Sequence, residues 1–258
     1  MNILIGGSAM KVDILGVMVD NVTMDKAVAL LSEYIDSDSA HTVVTPNAEI
    51  LKMCVEDETL KNAVNSADFV SPDGVGVLYA AKIFGTPIKE KVAGCELGLN
   101  LLKEAAKKGA GVFLFGAKPG VAQLCGQKLK EQIPGLIVSG VRDGYFKNED
   151  NDSIIQMIND SGAKILWVCL GAPKQELWMA QNKDKLNVGL MMGLGGSIDL
   201  YAGNVKRAPK IMIKLKIEWL YRLIKEPWRL GRMLKIPEVL VLAKKEAKLR
   251  KKQNRNKR

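Results

Sequence analysis

Short apolar runs alternate with segments whose apolar residues recur every three or four positions through most of the chain. The runs have the length of buried strands and cover Val12–Leu15, Thr42–Val44, Phe69–Ser71, Val112–Phe115, Ile137–Val141, Ile165–Leu170 and Val188–Met192. Segments between them, such as Met24–Ile35 and Leu97–Lys107, have helical spacing. This alternation is typical of βαβ units. The sequence therefore predicts an α/β fold with a Rossmann-like, layered and mostly parallel sheet.

The pattern changes near Gly203, where charged and apolar residues begin to separate onto two stripes of one amphipathic helix. The charged stripe holds Lys210, Lys214, Glu218, Arg222 and Lys225, and the apolar stripe holds Met212, Leu215, Trp219, Leu220 and Leu223. Pro227 and Pro237 are each suited to begin a helix, which predicts a short one over Trp228–Ile236 and a longer one from Glu238. We expect the end, Lys251–Arg258, to be disordered.

Three parts follow from these patterns. Residues 1–10 contain Gly-Gly-Ser and lack the features of a signal peptide, so we interpret them as an expression remnant or a frayed start. Residues 11–203 are predicted to form the α/β catalytic core, and residues 204–258 a basic, helical, membrane-targeting appendage. With 258 residues, 47% of them hydrophobic, the chain can bury a sizeable core.

Cysteine and histidine usage limits the possible chemistry. The four cysteines form no CxxC pair and His41 is the only histidine, which argues against a zinc cluster or a disulfide framework and favours a reducing cytoplasm. No run of about 20 apolar residues is present, so no membrane-spanning helix is predicted.

Charge is distributed unevenly along the chain. From Gly203 onward there are 19 Lys and Arg against 4 Glu, a net charge of +15, whereas the preceding part carries a net charge of −5. A basic tail of this kind is attracted to phosphate, in nucleic acid or at an anionic membrane surface.

Three interpretations of the tail remain open. Its apolar stripe can dock on the main sheet with the charges merely solvated, or it can bind a membrane. Nucleic acid is the third possibility, but no recognition motif accompanies the charge. We prefer peripheral membrane binding, because aromatic residues interleaved with arginines suit the headgroup layer. These residues are Trp219, Tyr221, Arg222, Trp228, Arg229 and Arg232.

Polar clusters stand where apolar runs stop, and in open α/β sheets ligands bind at the carboxyl ends of the strands. Asp73 follows the run Phe69–Val70 and precedes two glycines, so its carboxylate suits a general base that deprotonates an attacking sugar hydroxyl. The equal alternative is that Asp73 is the N-cap of the helix predicted over Gly74–Phe84.

Neutral polar groups follow other predicted strands. Thr45 and Asn47 bracket Pro46 and can bind sugar or phosphate, although Thr-Pro-Asn is also common turn chemistry. Gln175 lies at a predicted helix start. Free N–H groups at such a start favour binding of a diphosphate, and the alternative is a routine capped turn. The loop with Gly195 and Gly196 precedes Asp199. Several such loops at one sheet edge indicate a nucleotide site.

Three other features of the sequence give weaker support for a cofactor, a metal or a nucleophile. Gly74–Tyr79 begins like GxGxxG but lacks the third small residue, which argues against a dinucleotide cofactor. Asp36-Ser37-Asp38 and Asp150-Asn151-Asp152 match the DxD of metal-dependent sugar transferases, but both lie in polar connections. No serine or cysteine nucleophile is marked as a partner of His41, which we interpret as a strand-edge residue. We therefore expect neither a metal nor a cofactor.

Taken together, these segments resemble the WecG/TagA/CpsF glycosyltransferase family, and most closely its TagA branch. The resemblance runs from about Val12 to Arg232 and is carried by Thr45–Leu51, Pro72–Gly76, Val92–Gly94, Leu114–Ala117, Leu170–Glu176, Gly195–Asp199, Arg207–Pro209 and Glu218–Leu223. It implies an inverting, metal-independent transferase that moves N-acetylmannosamine from UDP-N-acetylmannosamine to the 4-hydroxyl of N-acetylglucosaminyl-diphospho-undecaprenol, in wall teichoic acid linkage-unit synthesis. Related UDP-hexose transfer in another surface-polysaccharide pathway, or a nucleic-acid-binding α/β module, are the alternatives.

The resemblance also implies roles for single residues. Asp73 would be the base, and Thr45, Asn47 and Gln175 would orient sugar and diphosphate. Lys91 stands where relatives often carry Arg. Lysine keeps the positive charge but lacks the bidentate fork of the guanidinium group.

The resemblance and the basic tail point to the same surroundings. The lipid-linked diphosphate acceptor lies in the bilayer, so we expect the protein to associate peripherally with the inner face of the cytoplasmic membrane. Arg222, Arg229 and Arg232 recur at spacings that bring them around one diphosphate. Free in solution, the apolar stripe is expected to be hidden by self-association, which makes a homo-oligomer possible.

Overall fold

Six parallel strands form the central sheet. The structure is a computed structural model and describes residues 10–205, 212, 231 and 234–256. The strands are β3 (His41–Val44), β4 (Phe69–Val70), β5 (Gly111–Gly116), β6 (Ile137–Arg142), β7 (Ile165–Cys169) and β8 (Leu190–Gly193), in the order β4-β3-β8-β7-β5-β6. Every pair of neighbours in this sheet is parallel. The α/β fold with a mostly parallel sheet is confirmed.

An antiparallel hairpin precedes the sheet and consists of β1 (Lys11–Ile14) and β2 (Val17–Asp20). Leu15 and Gly16 form its turn with φ of 56° and 84°, a conformation that matches the twist of the two strands. The sequence analysis predicted β1 and missed β2. The signal for β2 was short: Val17 and Val19 are buried and the intervening Met18 is exposed.

Helices cover both faces of the sheet. One face carries α1 (Met24–Tyr34), α5 (Gly94–Lys108), α6 (Val121–Gln132) and α9 (Ser197–Tyr201). The other carries α2 (Ala48–Glu56), α3 (Glu58–Asn65), α4 (Val75–Phe84), α7 (Asn151–Asp160) and α8 (Lys174–Asn182). Short 3-10 helices cover Asn148–Asp150 and Lys183–Lys185. Each face has its own apolar core, so the sheet is buried on both sides except at the edge strand β6, which is partly exposed.

The last described helix, α10 (Lys235–Asn256), packs against α2 and α4. Val239 and Ala243 are fully buried in this contact. Near its far end, Arg250 forms an ion pair with Asp13 at 3.0 Å and lies 4.8 Å from the centre of the Phe84 ring. The helix includes Lys251–Asn256, for which the sequence analysis expected disorder; Lys and Arg are good helix formers and extend it.

The amphipathic helix predicted after Gly203 and the short one over 228–236 fall largely outside the described residues. In the part of the chain that the structure describes, no helix is both long enough and apolar enough to cross a membrane. The division at residues 10 and 203 stays a prediction.

Candidate functional site

The carboxyl ends of the six parallel strands all lie at one edge of the sheet. At this edge the chain leaves β3 for α2 on one face, and it leaves the neighbouring β8 for α9 on the opposite face. Divergence of this kind opens a crevice between two adjacent strands, which is where open α/β sheets bind ligands. Thr45, Asp73, Gln175 and Gly195 follow four different strands of this edge.

Thr45 is buried, with 9% of its surface exposed. Its hydroxyl donates a hydrogen bond of 2.8 Å to the Gly193 carbonyl, a contact that joins the ends of β3 and β8. A Cβ on Gly94 would lie only 2.7 Å from Thr45 Cγ2. The close approach of α5 to Thr45 therefore requires glycine at position 94.

Asp73 is half-buried and is held by the start of α5. The Gly94 N–H donates a hydrogen bond of 3.1 Å to Asp73 Oδ2. The two loops are joined further by a 2.7 Å bond from the Ser71 hydroxyl to the Val92 carbonyl and a 3.1 Å bond from the Val92 N–H to the Pro72 carbonyl. Hydrogen bonds between these two loops thus fix the position of Asp73.

The alternative role of Asp73, as the cap of its own helix, is wrong. The N-cap of α4 is Gly74, which has a φ of 84° and no side chain with which to cap the helix. A positive φ suits glycine and allows the chain to turn sharply after Asp73. The carboxylate consequently lies beside the first turn of α5, a different helix.

Gln175 has 2% of its surface exposed and bonds at both ends of its amide. The Gly195 N–H donates a 3.0 Å hydrogen bond to Gln175 Oε1, and Gln175 Nε2 donates a 2.7 Å hydrogen bond to Glu176 Oε1. Gly195 has a φ of 51°, and Gly196 is exposed. Gln175 therefore supports the glycine loop that follows β8.

The remaining predicted residues lie around this centre. Asn47 is exposed and caps α2, with its Oδ1 accepting a 3.1 Å hydrogen bond from the Ile50 N–H. Lys91 is half-buried and directly precedes Val92, which is bonded to the Asp73 loop. Lys174 is exposed, and its Nζ lies 3.8 Å from the centre of the Phe146 ring. Arg222, Arg229 and Arg232 lie outside the described residues.

Burial shifts the pKa of one carboxyl group and of three thiols. Burial raises the pKa of Glu176, whose side chain has 1% of its surface exposed and whose Oε2 has no hydrogen-bond partner. Burial also raises the pKa of the Cys54, Cys125 and Cys169 thiols to about 12. Thiols of this kind stay protonated at neutral pH and are poor nucleophiles.

Sequence reasoning missed three participants in the site: Gly94, Gly193 and Glu176. Gly94 and Gly193 act through their backbone groups, for which the sequence carries no side-chain signal. Glu176 belongs to a motif that was recognised, but a glutamate in the first turn of a helix is normally exposed. Among residues 10–205 and 234–256, no group of three or more His, Cys, Asp or Glu side chains is arranged to hold a metal ion.

Comparison with known proteins finds relatives that match most of the chain. The family model described as the glycosyl transferase WecG/TagA/CpsF family matches residues 12–254. A protein of Bacillus spizizenii named N-acetylglucosaminyldiphosphoundecaprenol N-acetyl-β-D-mannosaminyltransferase is 36% identical over 209 residues, which covers 81% of this chain and 80% of the relative. A protein of the same name from Bacillus subtilis strain 168 is 35% identical over 222 residues, which covers 86% of each chain.

A parallel sheet with a polar crevice at its carboxyl edge, together with these relatives, defines the class of the protein as a glycosyltransferase. The chain belongs to the WecG/TagA/CpsF family, as its motifs predicted.

Proposed function

We propose that the protein transfers N-acetylmannosamine from UDP-N-acetylmannosamine to the 4-hydroxyl of N-acetylglucosaminyl-diphospho-undecaprenol, in the linkage unit of wall teichoic acid. The names of the two relatives support this acceptor and this sugar. They also specify a β-linked product, and transfer from an α-linked nucleotide sugar to a β-linked product inverts the anomeric centre.

Asp73 carries the proposal. The acceptor oxygen forms a bond to the anomeric carbon, the bond from that carbon to UDP breaks, and the hydroxyl proton passes to the Asp73 carboxylate. A half-buried carboxylate fixed by the Gly94 N–H at the carboxyl edge of the sheet suits this task, because general-base catalysis requires the base to be held within hydrogen-bond reach of the proton.

Other residues of the crevice bind and orient the substrates in this proposal. Thr45 and Gln175 position the loops after β3 and β8, and exposed Asn47 and Gly196 face the sugar and diphosphate. Lys91 offsets negative charge on the departing UDP, without a metal. Arg222, Arg229 and Arg232 bind the acceptor diphosphate.

The outer face of α10 supports the proposed association with the inner surface of the cytoplasmic membrane. Val241 and Leu249 are 51% and 58% exposed there, and Leu234, directly before the helix, is 53% exposed. The exposed lysines of the same helix are Lys244, Lys245, Lys248, Lys251 and Lys252. Exposed aliphatic residues among lysines suit an anionic bilayer surface, where apolar contact and charge attraction add.

A donor panel tests the proposed reaction. The protein is incubated with a lipid-diphosphate acceptor carrying N-acetylglucosamine and with several UDP-hexoses in turn, and products are identified by mass. We expect transfer from UDP-N-acetylmannosamine. Transfer only from a different donor would instead assign the protein to another surface-polysaccharide pathway, and absence of transfer from every donor would refute the proposal.

A further inference from the structure

Glu176 is a buried carboxylate for which the proposed reaction has no use. Its Oε1 accepts the hydrogen bond from Gln175 Nε2, and its Oε2 has no partner. A buried charged group with an unpartnered oxygen costs free energy, which makes it an unusual choice for a purely structural position.

The position of Glu176 links it to the catalytic edge through one side chain. Gln175 Oε1 accepts from the Gly195 N–H, while the Gln175 amide lies against Gly193, where an added Cβ would approach Gln175 Nε2 to 3.2 Å. Thr45 bonds the Gly193 carbonyl from the other side. The segment 193–195 is therefore held between Thr45 and Gln175.

An amide side chain can rotate by half a turn, and its two orientations differ only in which end donates. In the observed orientation, oxygen faces the Gly195 N–H and nitrogen faces the Glu176 carboxylate. Rotation would place a donor against the Gly195 N–H and an acceptor against the carboxylate. An acceptor at position 176 consequently selects the orientation that holds Gly195.

We propose that Glu176 is a positioning residue. It fixes the amide of Gln175 and, through this amide, the segment 193–195 beneath the transferred sugar. The proposal rests on the proposed function for its effect on turnover. Its effect on Gly195 does not depend on the identity of the substrates, so the two can be tested separately.

The first experiment compares two substitutions in the full-length protein. Glu176→Met keeps a similar length and removes the acceptor, whereas Glu176→Gln keeps an acceptor oxygen. We expect Glu176→Met to lower kcat/KM by roughly ten- to a hundredfold, as misplacement of a binding surface does, and Glu176→Gln to restore most of that loss. In the Gln175→Met background, Glu176→Met should have little further effect.

The matched control is Asn182→Leu, which removes another buried polar side chain of α8. Asn182 donates a hydrogen bond to the Trp178 carbonyl and accepts one from Asn151, and neither bond involves Gln175. It should destabilise the helix and leave kcat/KM nearly unchanged. Equal losses for Asn182→Leu and Glu176→Met would show a structural role only and would overturn the proposal.

The second experiment follows Gly195 directly, by nuclear magnetic resonance of protein labelled with ¹⁵N-glycine. In the wild type the Gly195 amide hydrogen should exchange slowly with solvent, and its signal should move on Glu176→Met and return on Glu176→Gln. Rapid exchange in the wild type would overturn the proposal without any variant. If no sugar is transferred by the wild type, the proposed function fails, while the Gly195 signal still decides the role of Glu176.

Discussion

Asp73 is the residue on which the proposed chemistry depends. Asp73→Asn keeps an oxygen that can accept from the Gly94 N–H but cannot take up the hydroxyl proton. We expect turnover to fall by at least about a hundredfold, with an unchanged melting temperature. Turnover is measured with the donor and lipid acceptor at saturation. Near wild-type turnover in the folded variant would exclude Asp73 as the base.

Thr45 makes a buried hydrogen bond between two neighbouring strands, and its loss should reduce stability. Thr45→Val preserves the shape of the side chain and leaves the Gly193 carbonyl without its 2.8 Å donor. We expect the free energy of unfolding in urea to fall by about 1–3 kcal/mol. Thr45→Ser retains the hydroxyl and serves as the control. A loss in Thr45→Ser with none in Thr45→Val would mean that the methyl packing, and not the hydrogen bond, stabilises this position.

Glu176 should make stability depend on pH in a defined direction. Because burial raises its folded-state pKa above 4.5, the folded protein holds this proton at pH values where the unfolded chain has released it. Stability is therefore lost as the pH rises from 4.5 through the raised pKa. Glu176→Gln cannot titrate, so wild type should lose stability relative to this variant over that range. Urea unfolding at a series of pH values checks this, and a constant difference would contradict it.

Sequence patterns predicted the residues that follow strand ends, because a strand end is visible where an apolar run stops. This is why Thr45, Asp73 and Gln175 were singled out and are found at one edge of the sheet. Partners contributed by distant backbone, such as Gly94 for Asp73, were not predictable because a backbone N–H is the same at every position. The burial of Glu176 likewise depends on helices packed around it, which local spacing does not reveal.

Among the elements, α10 joins three parts of the core: α2, α4 and the N-terminal hairpin. Ile236 lies near Gly76, in the first turn of α4, where an added Cβ would approach Ile236 to 3.7 Å and Ala48 to 2.8 Å. The helix that carries the exposed lysines is thus packed close to the loop that carries Asp73.

Two valines in α10 offer a matched test of this packing. Val239 is fully buried, and Val241, two residues later, is 51% exposed. Val239→Ala should lower the free energy of unfolding by roughly 1–3 kcal/mol, whereas Val241→Ala should change it by less than about 0.5 kcal/mol. Unfolding in urea, followed by tryptophan fluorescence, compares them. Similar values for both would mean that α10 does not dock on the core as described.

Element types were predicted better than element ends. The start of α1 at Met24 was found, whereas α5 begins at Gly94, three residues before the predicted Leu97. Its early start depends on tertiary contacts with Asp73 and Thr45. The hairpin strand β2 was missed because four residues after a turn give too short an alternation.

At the scale of the molecule, the two faces differ in how they should respond to a membrane. Replacing Lys244, Lys245 and Lys248 of α10 by Gln should weaken binding to anionic phospholipid vesicles by about 1 kcal/mol for each lysine. The control replaces Lys103, Lys107 and Lys130 by Gln, because these exposed lysines lie on helices of the opposite face. Vesicle sedimentation measures both. Equal weakening by the two triple variants would argue against α10 as the contact surface.

The order of the strands has a consequence for folding during synthesis. Among the strands of the described residues, β8 comes last along the chain, and it lies between β3 and β7, near the middle of the sheet. During synthesis on the ribosome, the pair β3 and β4 and the trio β5, β6 and β7 emerge first as two incomplete halves, each with an open inner edge. Only the arrival of β8 unites them, and the same strand brings Gly193 to Thr45, 148 positions earlier. We therefore expect a nascent chain to stay inactive until β8 has joined the two halves of the sheet.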